Sequence, residues 1–178
     1  MKRAVFLDRD GVLNRAYLVD GVPHPPRVAA DLEILPGVVS ATTQLKAAGF
    51  VLIVVTNQPD IARGTTTAVE VEAIHQRLRA QVPLDDVRVC PHDDADGCGC
   101  RKPAPGLLLG AARDHGIDLG SSVMVGDRWR DVEAGVRAGA RTVYVKAGYR
   151  ERAPAAYDLA VTSLLEATPW ILALEKNA

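Results

Sequence analysis

Aromatic residues are scarce in this sequence, at 4%, so its core must be aliphatic. Charge of one sign is not in excess either: 21 Lys and Arg stand against 22 Asp and Glu, a formal net charge of −1. A nucleic-acid binder would need a basic surplus on one face, and none is present. An acidic patch and a membrane-surface helix have no more support. Long apolar runs are missing. After Met1-Lys2-Arg3, the run Ala4–Leu7 stops at Asp8, too early for the apolar region of a signal peptide. The longest run, Val51–Val55, is far too short to span a bilayer. These features predict a soluble, cytoplasmic chain. Cysteine is limited to Cys90, Cys98 and Cys100. An odd count fits a disulfide framework poorly, and their closeness suggests a local use. The sequence contains neither an internal repeat nor a low-complexity tract.

What remains is an ordinary globular composition, 48% hydrophobic and 24% charged. At 178 residues the chain is expected to form one domain, burying roughly 70% of the surface its unfolded form would expose. Short β-type runs alternate with helical patterns. Ala4–Leu7, Val51–Val55, Val87–Cys90, Val123–Val125 and Thr142–Val145 read as strands, with Leu159–Thr162 as a possible sixth. Their continuous apolar character suits parallel strands buried on both faces. Val38, Ala41, Leu45 and Ala48 mark one helix, ended by Gly49. Val71, Ile74, Leu78 and Val82 mark a second, opened by Thr67 and Glu70 and stopped by Pro83. Pro105 opens a third and Asp131–Ala138 forms a short fourth. Ser163–Lys176 reads as a last helix, interrupted or begun late at Pro169. The Gly21–Pro26 stretch, with three prolines, reads as a loop. His75 reads as a solvent-facing helix residue and His115 as a helix-end cation. Such alternation predicts a doubly wound α/β sheet.

Three strands run into polar residues: Asp8-Arg9-Asp10-Gly11, Thr56-Asn57-Gln58 and Gly126-Asp127. In an open α/β sheet, ligands bind in the crevice at the carboxyl ends of the strands. Asp8, Asp10, Thr56, Asn57 and Asp127 should converge there. Carboxylates gathered in one crevice need a cation, and Mg²⁺, which prefers oxygen ligands, is the natural guest. The Asp8/Asp10 spacing lets two carboxylates flank one reacting atom. One can attack phosphorus; the other can protonate the leaving oxygen and then activate water. Thr56, Asn57 and Lys102 can hold phosphoryl oxygens. Gly11 lets the backbone turn sharply. A calcium loop is the bland alternative for Asp-x-Asp-Gly. It fails because the twelfth position from Asp8 is Val19 rather than Glu.

Phe6-Leu7-Asp8-Arg9-Asp10-Gly11-Val12-Leu13-Asn14, Val55-Thr56-Asn57-Gln58, Arg101-Lys102-Pro103 and Val125-Gly126-Asp127-Arg128 together resemble the four motifs of haloacid dehalogenase superfamily phosphatases. The resemblance is closest to the branch acting on heptose bisphosphates and histidinol phosphate. It implies a single uncapped domain, Rossmann-like with strand order 3-2-1-4-5, and a monomeric Mg²⁺-dependent phosphomonoesterase. Asp8 would be the nucleophile and Asp10 the general acid and base. The Asp8 carboxylate, the Asp10 carbonyl and Asp127 would hold Mg²⁺, while Thr56 and Lys102 would stabilise the phosphoryl group. Asn57 and Arg101 would contact substrate, as would the loop Ala16, Tyr17, Leu18 and Val19. Gln58 and Pro59 border the same region. Asp131 would support the metal ligands from behind. Arg128 stands where the branch carries Lys, and Pro59-Asp60 where it more often has Ser-Gly.

Cys90, His92, Cys98 and Cys100 supply three thiols and one imidazole, a standard Zn²⁺ complement. Four protein ligands leave no open position, so such a zinc would be structural and would hold the loop carrying Arg101 and Lys102. The resembled branch has a matching Cys-x-His…Cys-x-Cys loop, with a longer stretch between its ligand pairs. Two rival readings remain at this level: a phosphoacceptor signalling domain, and a catalytically dead zinc module.

Overall fold

The computed structural model describes residues 1–174. Six strands form one sheet: β1 (Ala4–Leu7), β4 (Val51–Asn57), β5 (Asp86–Cys90), β6 (Val123–Gly126), β7 (Arg141–Val145) and β8 (Leu159–Val161). Their order is β5-β4-β1-β6-β7-β8, and every ladder is parallel. Five helices cover it: α1 (Val38–Ala47), α2 (Ala68–Arg79), α3 (Gly106–His115), α4 (Trp129–Ala138) and α5 (Leu164–Ala173).

The period-two geometry of a strand sends alternate side chains to opposite faces. Val5, Leu7, Leu52, Val54, Val123 and Val125 therefore enter one core with residues of α1, α2 and α5. Ala4, Phe6, Ile53, Val55 and Met124 enter the other with residues of α3 and α4. Both faces being covered explains why the strands show unbroken apolar runs rather than alternation. Nearly all of this core is aliphatic, as the aromatic shortage requires.

Thr67 and Glu70 form the expected capping box of α2, with Glu70 N–H donating to Thr67 Oγ1 and Thr67 N–H to the Glu70 carboxylate. Three local expectations are corrected. The Gly21–Pro26 stretch is not all loop: Tyr17–Val19 and Val22–His24 pair as an antiparallel hairpin, β2 and β3. Its two-residue turn is Asp20-Gly21, with φ of 53° and 79°, the positive-φ pair that a type I′ turn needs. Pro169 does not interrupt α5, which runs through it; Lys176, the expected end of that helix, lies outside the described residues. α4 begins two residues earlier than expected, at Trp129, because Arg128 N–H donates to Asp131 Oδ2 at 2.9 Å and closes the first turn. Among the described residues no helix is long and apolar enough to cross a membrane.

Candidate active site

The first strand of the sheet, β1, lies between β4 and β6, where the strand order reverses. A crevice of about 260 Å³ opens at the carboxyl ends of these strands. Asp8 follows β1 and is anchored by its N–H donating to the Val125 carbonyl. Lys102, fully buried, reaches in from the segment before α3. Its Nζ donates to Asp8 Oδ1 at 2.6 Å and to the Val55 carbonyl at 2.7 Å, and it pairs with Asp131 Oδ1 at 2.6 Å. Asp127 follows β6 and is buried. Its Oδ2 accepts from the Tyr149 hydroxyl at 2.5 Å, while among the described residues nothing donates to its buried Oδ1. Glycine is required at two contacts. A Cβ on Gly11, whose φ is +92°, would lie 1.9 Å from Asp127 Oδ2, and one on Gly126 would lie 2.0 Å from the Asp131 Cβ.

The electrostatics follow from this crowding. Burial pushes the Asp8 carboxyl up to about 6; Lys102 opposes the rise, while Asp131 and Asp10 add to it. Burial, then repulsion from Asp8 and Asp131, holds Asp127 well above the usual carboxylate range. Burial works against the charge of Lys102, but Asp131 and Asp8 outweigh it and hold the ammonium more firmly protonated than usual. Carboxylate oxygens of Asp8, Asp127 and Asp131 lie within 4.8 Å of one another. With an orphaned oxygen on Asp127, this set suits a hard divalent cation.

Asp10 stands beside the cluster in a different setting. Its carboxylate accepts from Arg9 Nε and Nη2, Asn14 Nδ2 and Gln58 Nε2, at 2.9–3.2 Å. Burial favours the acid form, but the Arg9 charge and these donors win and keep the carboxyl below its usual range. Gln58 also donates to Thr56 Oγ1 at 2.9 Å, so one amide ties the second motif to the first.

The substrate residues expected from sequence are only partly gathered here. Both polar atoms of the Asn57 side chain are engaged by the Lys102 backbone, at 3.0 and 3.1 Å, which fixes the lysine. Gln58 is almost fully buried but still lines the crevice. Pro59 and Arg101 line the crevice, and Arg101 is braced by Asp94 and the His92 carbonyl. Ala16, Tyr17, Leu18 and Val19 do not line it; the hairpin instead presents Val22, Pro23 and His24. Arg128 is clamped bidentately by Glu151, and Arg130 and Arg152 lie over the Trp129 ring.

Sequence reasoning missed three site residues. His75 is fully buried, not solvent-facing, and meets Arg9 Nη1 at 2.9 Å. Arg9 itself is fully buried. Tyr149 follows β7 in a segment tied to the site by its own hydroxyl, by Arg150 N–H donating to the Gly21 carbonyl, and by Glu151.

The four candidate zinc ligands converge. The Cys100 sulfur lies 3.2 Å from Cys90, 3.4 Å from Cys98 and 3.4 Å from His92 Nδ1; Cys90 lies 3.6 Å from both Cys98 and His92 Nδ1. No disulfide links them. A tetrahedral Zn–S bond of about 2.3 Å implies edges of roughly 3.8 Å, close to these spacings. The loop they form packs against the start of α3, where a Cβ on Gly106 would lie 2.2 Å from the Gly99 carbonyl oxygen.

Parallel sheet, reversal point and carboxylate cluster define the HAD-like class of hydrolases. The HAD-hydrolase-like family model matches residues 99–167. The D-glycero-beta-D-manno-heptose-1,7-bisphosphate 7-phosphatase of Pseudomonas putida is 39% identical over 158 residues, covering 84% of this chain and 86% of that protein. The D-glycero-alpha-D-manno-heptose-1,7-bisphosphate 7-phosphatase of Mycobacterium bovis is 42% identical over 135 residues, covering 72% and 69%. A crystal structure of D,D-heptose 1,7-bisphosphate phosphatase from B. bronchiseptica, complexed with magnesium and phosphate, superposes with a TM-score of 0.82 at 30% identity, covering both chains completely. The chain belongs to the HAD-like phosphatases, in the branch that holds these enzymes.

Proposed function

We propose that this phosphatase removes the 7-phosphate of D-glycero-D-manno-heptose 1,7-bisphosphate through an aspartyl-phosphate intermediate. The observation that carries this reading is the buried Asp8–Lys102–Asp131–Asp127 cluster at the sheet's reversal point, with Asp10 beside it in a separate network. A bisphosphate also suits the rim, where Arg63, Arg101, Arg128 and Arg130 surround the opening.

In this scheme an Asp8 oxygen attacks phosphorus. The bond from phosphorus to the sugar oxygen breaks, its electron pair stays on that oxygen, and Asp10, which Arg9 holds ionised in the free site and which takes up a proton from water as the substrate enters, delivers that proton to it. Water then attacks the phosphorus, Asp10 takes the water's proton, and the electron pair of the Asp8–phosphorus bond returns to the carboxylate. Thr56 and Lys102 bind the phosphoryl oxygens as charge shifts among them. The Asp8 carboxylate, the Asp10 carbonyl and Asp127 would hold Mg²⁺, which when bound supplies Lewis-acid neutralisation of phosphoryl charge. Zn²⁺ would occupy the Cys90, His92, Cys98 and Cys100 set and stiffen the loop that ends in Arg101 and Lys102.

The test is phosphate release with Mg²⁺ from both anomers of heptose 1,7-bisphosphate, from histidinol phosphate and from common sugar phosphates. A strong preference for one heptose anomer is expected. Asp8→Asn should lower turnover at least about 10³-fold, the scale on which losing a nucleophile costs catalysis. Preference for histidinol phosphate would move the substrate reading, and release from none of them would overturn it.

A further inference from the structure

We infer that His75 is a positioning residue for Asp10, acting through Arg9. The inference rests on the reading of Asp10 as the general acid and base.

Three observations carry it. First, Arg9 and His75 are both fully buried, so neither has water as an alternative partner. Second, the Arg9 guanidinium is divided between two tasks. Its Nε and Nη2 edge holds the Asp10 carboxylate at 3.0–3.2 Å, and Nη1 meets His75 Nε2 at 2.9 Å. A guanidinium has donors only, so Nε2 must accept and the ring proton must sit on Nδ1. Third, His75 stands in the middle of α2, on the same buried face as Val71, Ile74 and Leu78. Its Nδ1 has no hydrogen-bond partner among the described residues, and Glu72 Oε2 lies 3.6 Å away. The ring therefore makes one hydrogen bond, and that bond goes to the arginine.

A guanidinium held by one carboxylate can tilt about that contact. A second anchor at its far corner fixes its plane, because the group is rigid and planar. With the plane fixed, the Asp10 carboxylate is aimed by α2, an element that also packs into the core. Asn14 and Gln58 complete the grip. The consequence falls on proton delivery. General acid catalysis contributes about 10²–10⁴-fold, and a misaimed acid forfeits part of it.

The leaving group separates positioning from folding. A sugar alkoxide must be protonated as it departs, whereas 2,4-dinitrophenolate need not be. For the full chain with Mg²⁺, His75→Phe should lower kcat/KM on heptose 1,7-bisphosphate about 10- to 100-fold. On 2,4-dinitrophenyl phosphate, kcat/KM should stay within about 3-fold. There kcat should fall instead, with a burst of dinitrophenolate, because hydrolysis of the aspartyl phosphate still needs Asp10 to take the water's proton. His75→Gln, which places an amide oxygen near the Nε2 position, should restore the sugar ester to within about 3-fold of wild type. His75→Leu serves the same purpose if the Phe variant does not fold. Asp10→Asn is the reference and should discriminate between the two esters more strongly. If Asp10→Asn discriminates and the apolar His75 variants lower both esters equally, or neither, the inference is overturned and His75 only fills space. If Asp10→Asn fails to discriminate, the acid–base reading itself falls, and the inference with it.

Discussion

The buried histidine also makes a prediction about stability. Burial, reinforced by the neighbouring Arg9 charge, holds the His75 imidazolium pKa down to about 4, against about 6.5 for an ordinary histidine. The unfolded chain therefore takes up a proton near pH 6.5, while the native state resists until near pH 4. The stabilising contribution is complete above pH 6.5 and is lost as the pH falls through the window between the two values. Each tenfold gap in proton affinity is worth about 1.4 kcal/mol, so the full gap amounts to about 3 kcal/mol, and about 2 kcal/mol of it disappears between pH 7.5 and pH 5. The assay is urea unfolding of wild type and His75→Gln at the two pH values. Glutamine does not titrate, and the other ionisable groups are common to both proteins, so their contributions cancel in the difference. With a slope of about 2 kcal/mol per molar urea, the gap between the two midpoints should shift by about 1 M against the wild type on acidification. A gap that stays constant with pH would refute the reasoning, because His75 would then bind its proton equally in both states. A shift in the wild type's favour would mean that the native state holds the histidine charged beside Arg9.

Two further perturbations test the framework around the site. Cys98→Ser should lose bound zinc on metal analysis and lower the melting temperature by several degrees, since a structural zinc site contributes directly to folding; a zinc-free wild type with an unchanged melt in the variant would refute that role. Gly126→Ala should cost at least about 2 kcal/mol and about 10-fold in activity, because the new Cβ would fall 2.0 Å from the Asp131 Cβ and push away the carboxylate that braces Lys102. Thermal melts and kcat/KM on the same preparation check both effects, and a variant equal to wild type would mean that α4 can shift without disturbing the lysine.

The parts of this molecule legible in the sequence are those governed by short-range pattern. Strand runs that are apolar on both faces, the Thr67–Glu70 cap and the acidic residues at strand ends all announce themselves locally. The hairpin was missed although its signal was present. Asp20-Gly21 is a strong type I′ turn pair, but three nearby prolines argued for loop. Pro23 is tolerated because a two-stranded ribbon leaves it an unpaired side. His75 was misplaced for a different reason. It flanks Ile74 on the edge of an amphipathic stripe, and helical periodicity alone assigned it to solvent. Its buried partner is Arg9, 66 residues away, and no local pattern announces a long-range partner. Tyr149 likewise lies in a segment without periodicity, and its role comes from a fold that returns the chain over Asp127.

Charge balance joins the local signals into one site. Within the buried cluster, Asp8, Asp127 and Asp131 present three carboxylates, and Lys102 is the one ammonium among them. Fully ionised, this set keeps two negative charges out of water. Burial first, and then that imbalance, drives the Asp8 and Asp127 carboxyls upward. The neighbouring groups do not relieve it: Arg9 is matched to Asp10, and Arg128 to Glu151. Two uncompensated charges, one orphaned oxygen on Asp127 and oxygen donors throughout match a small dication in both charge and ligand preference. The same arithmetic explains why Arg9 matters. Arg9 offsets the charge of Asp10, which still adds to the rise at Asp8, and so keeps an ionised carboxylate two residues from the nucleophile that can take the proton of the attacking water.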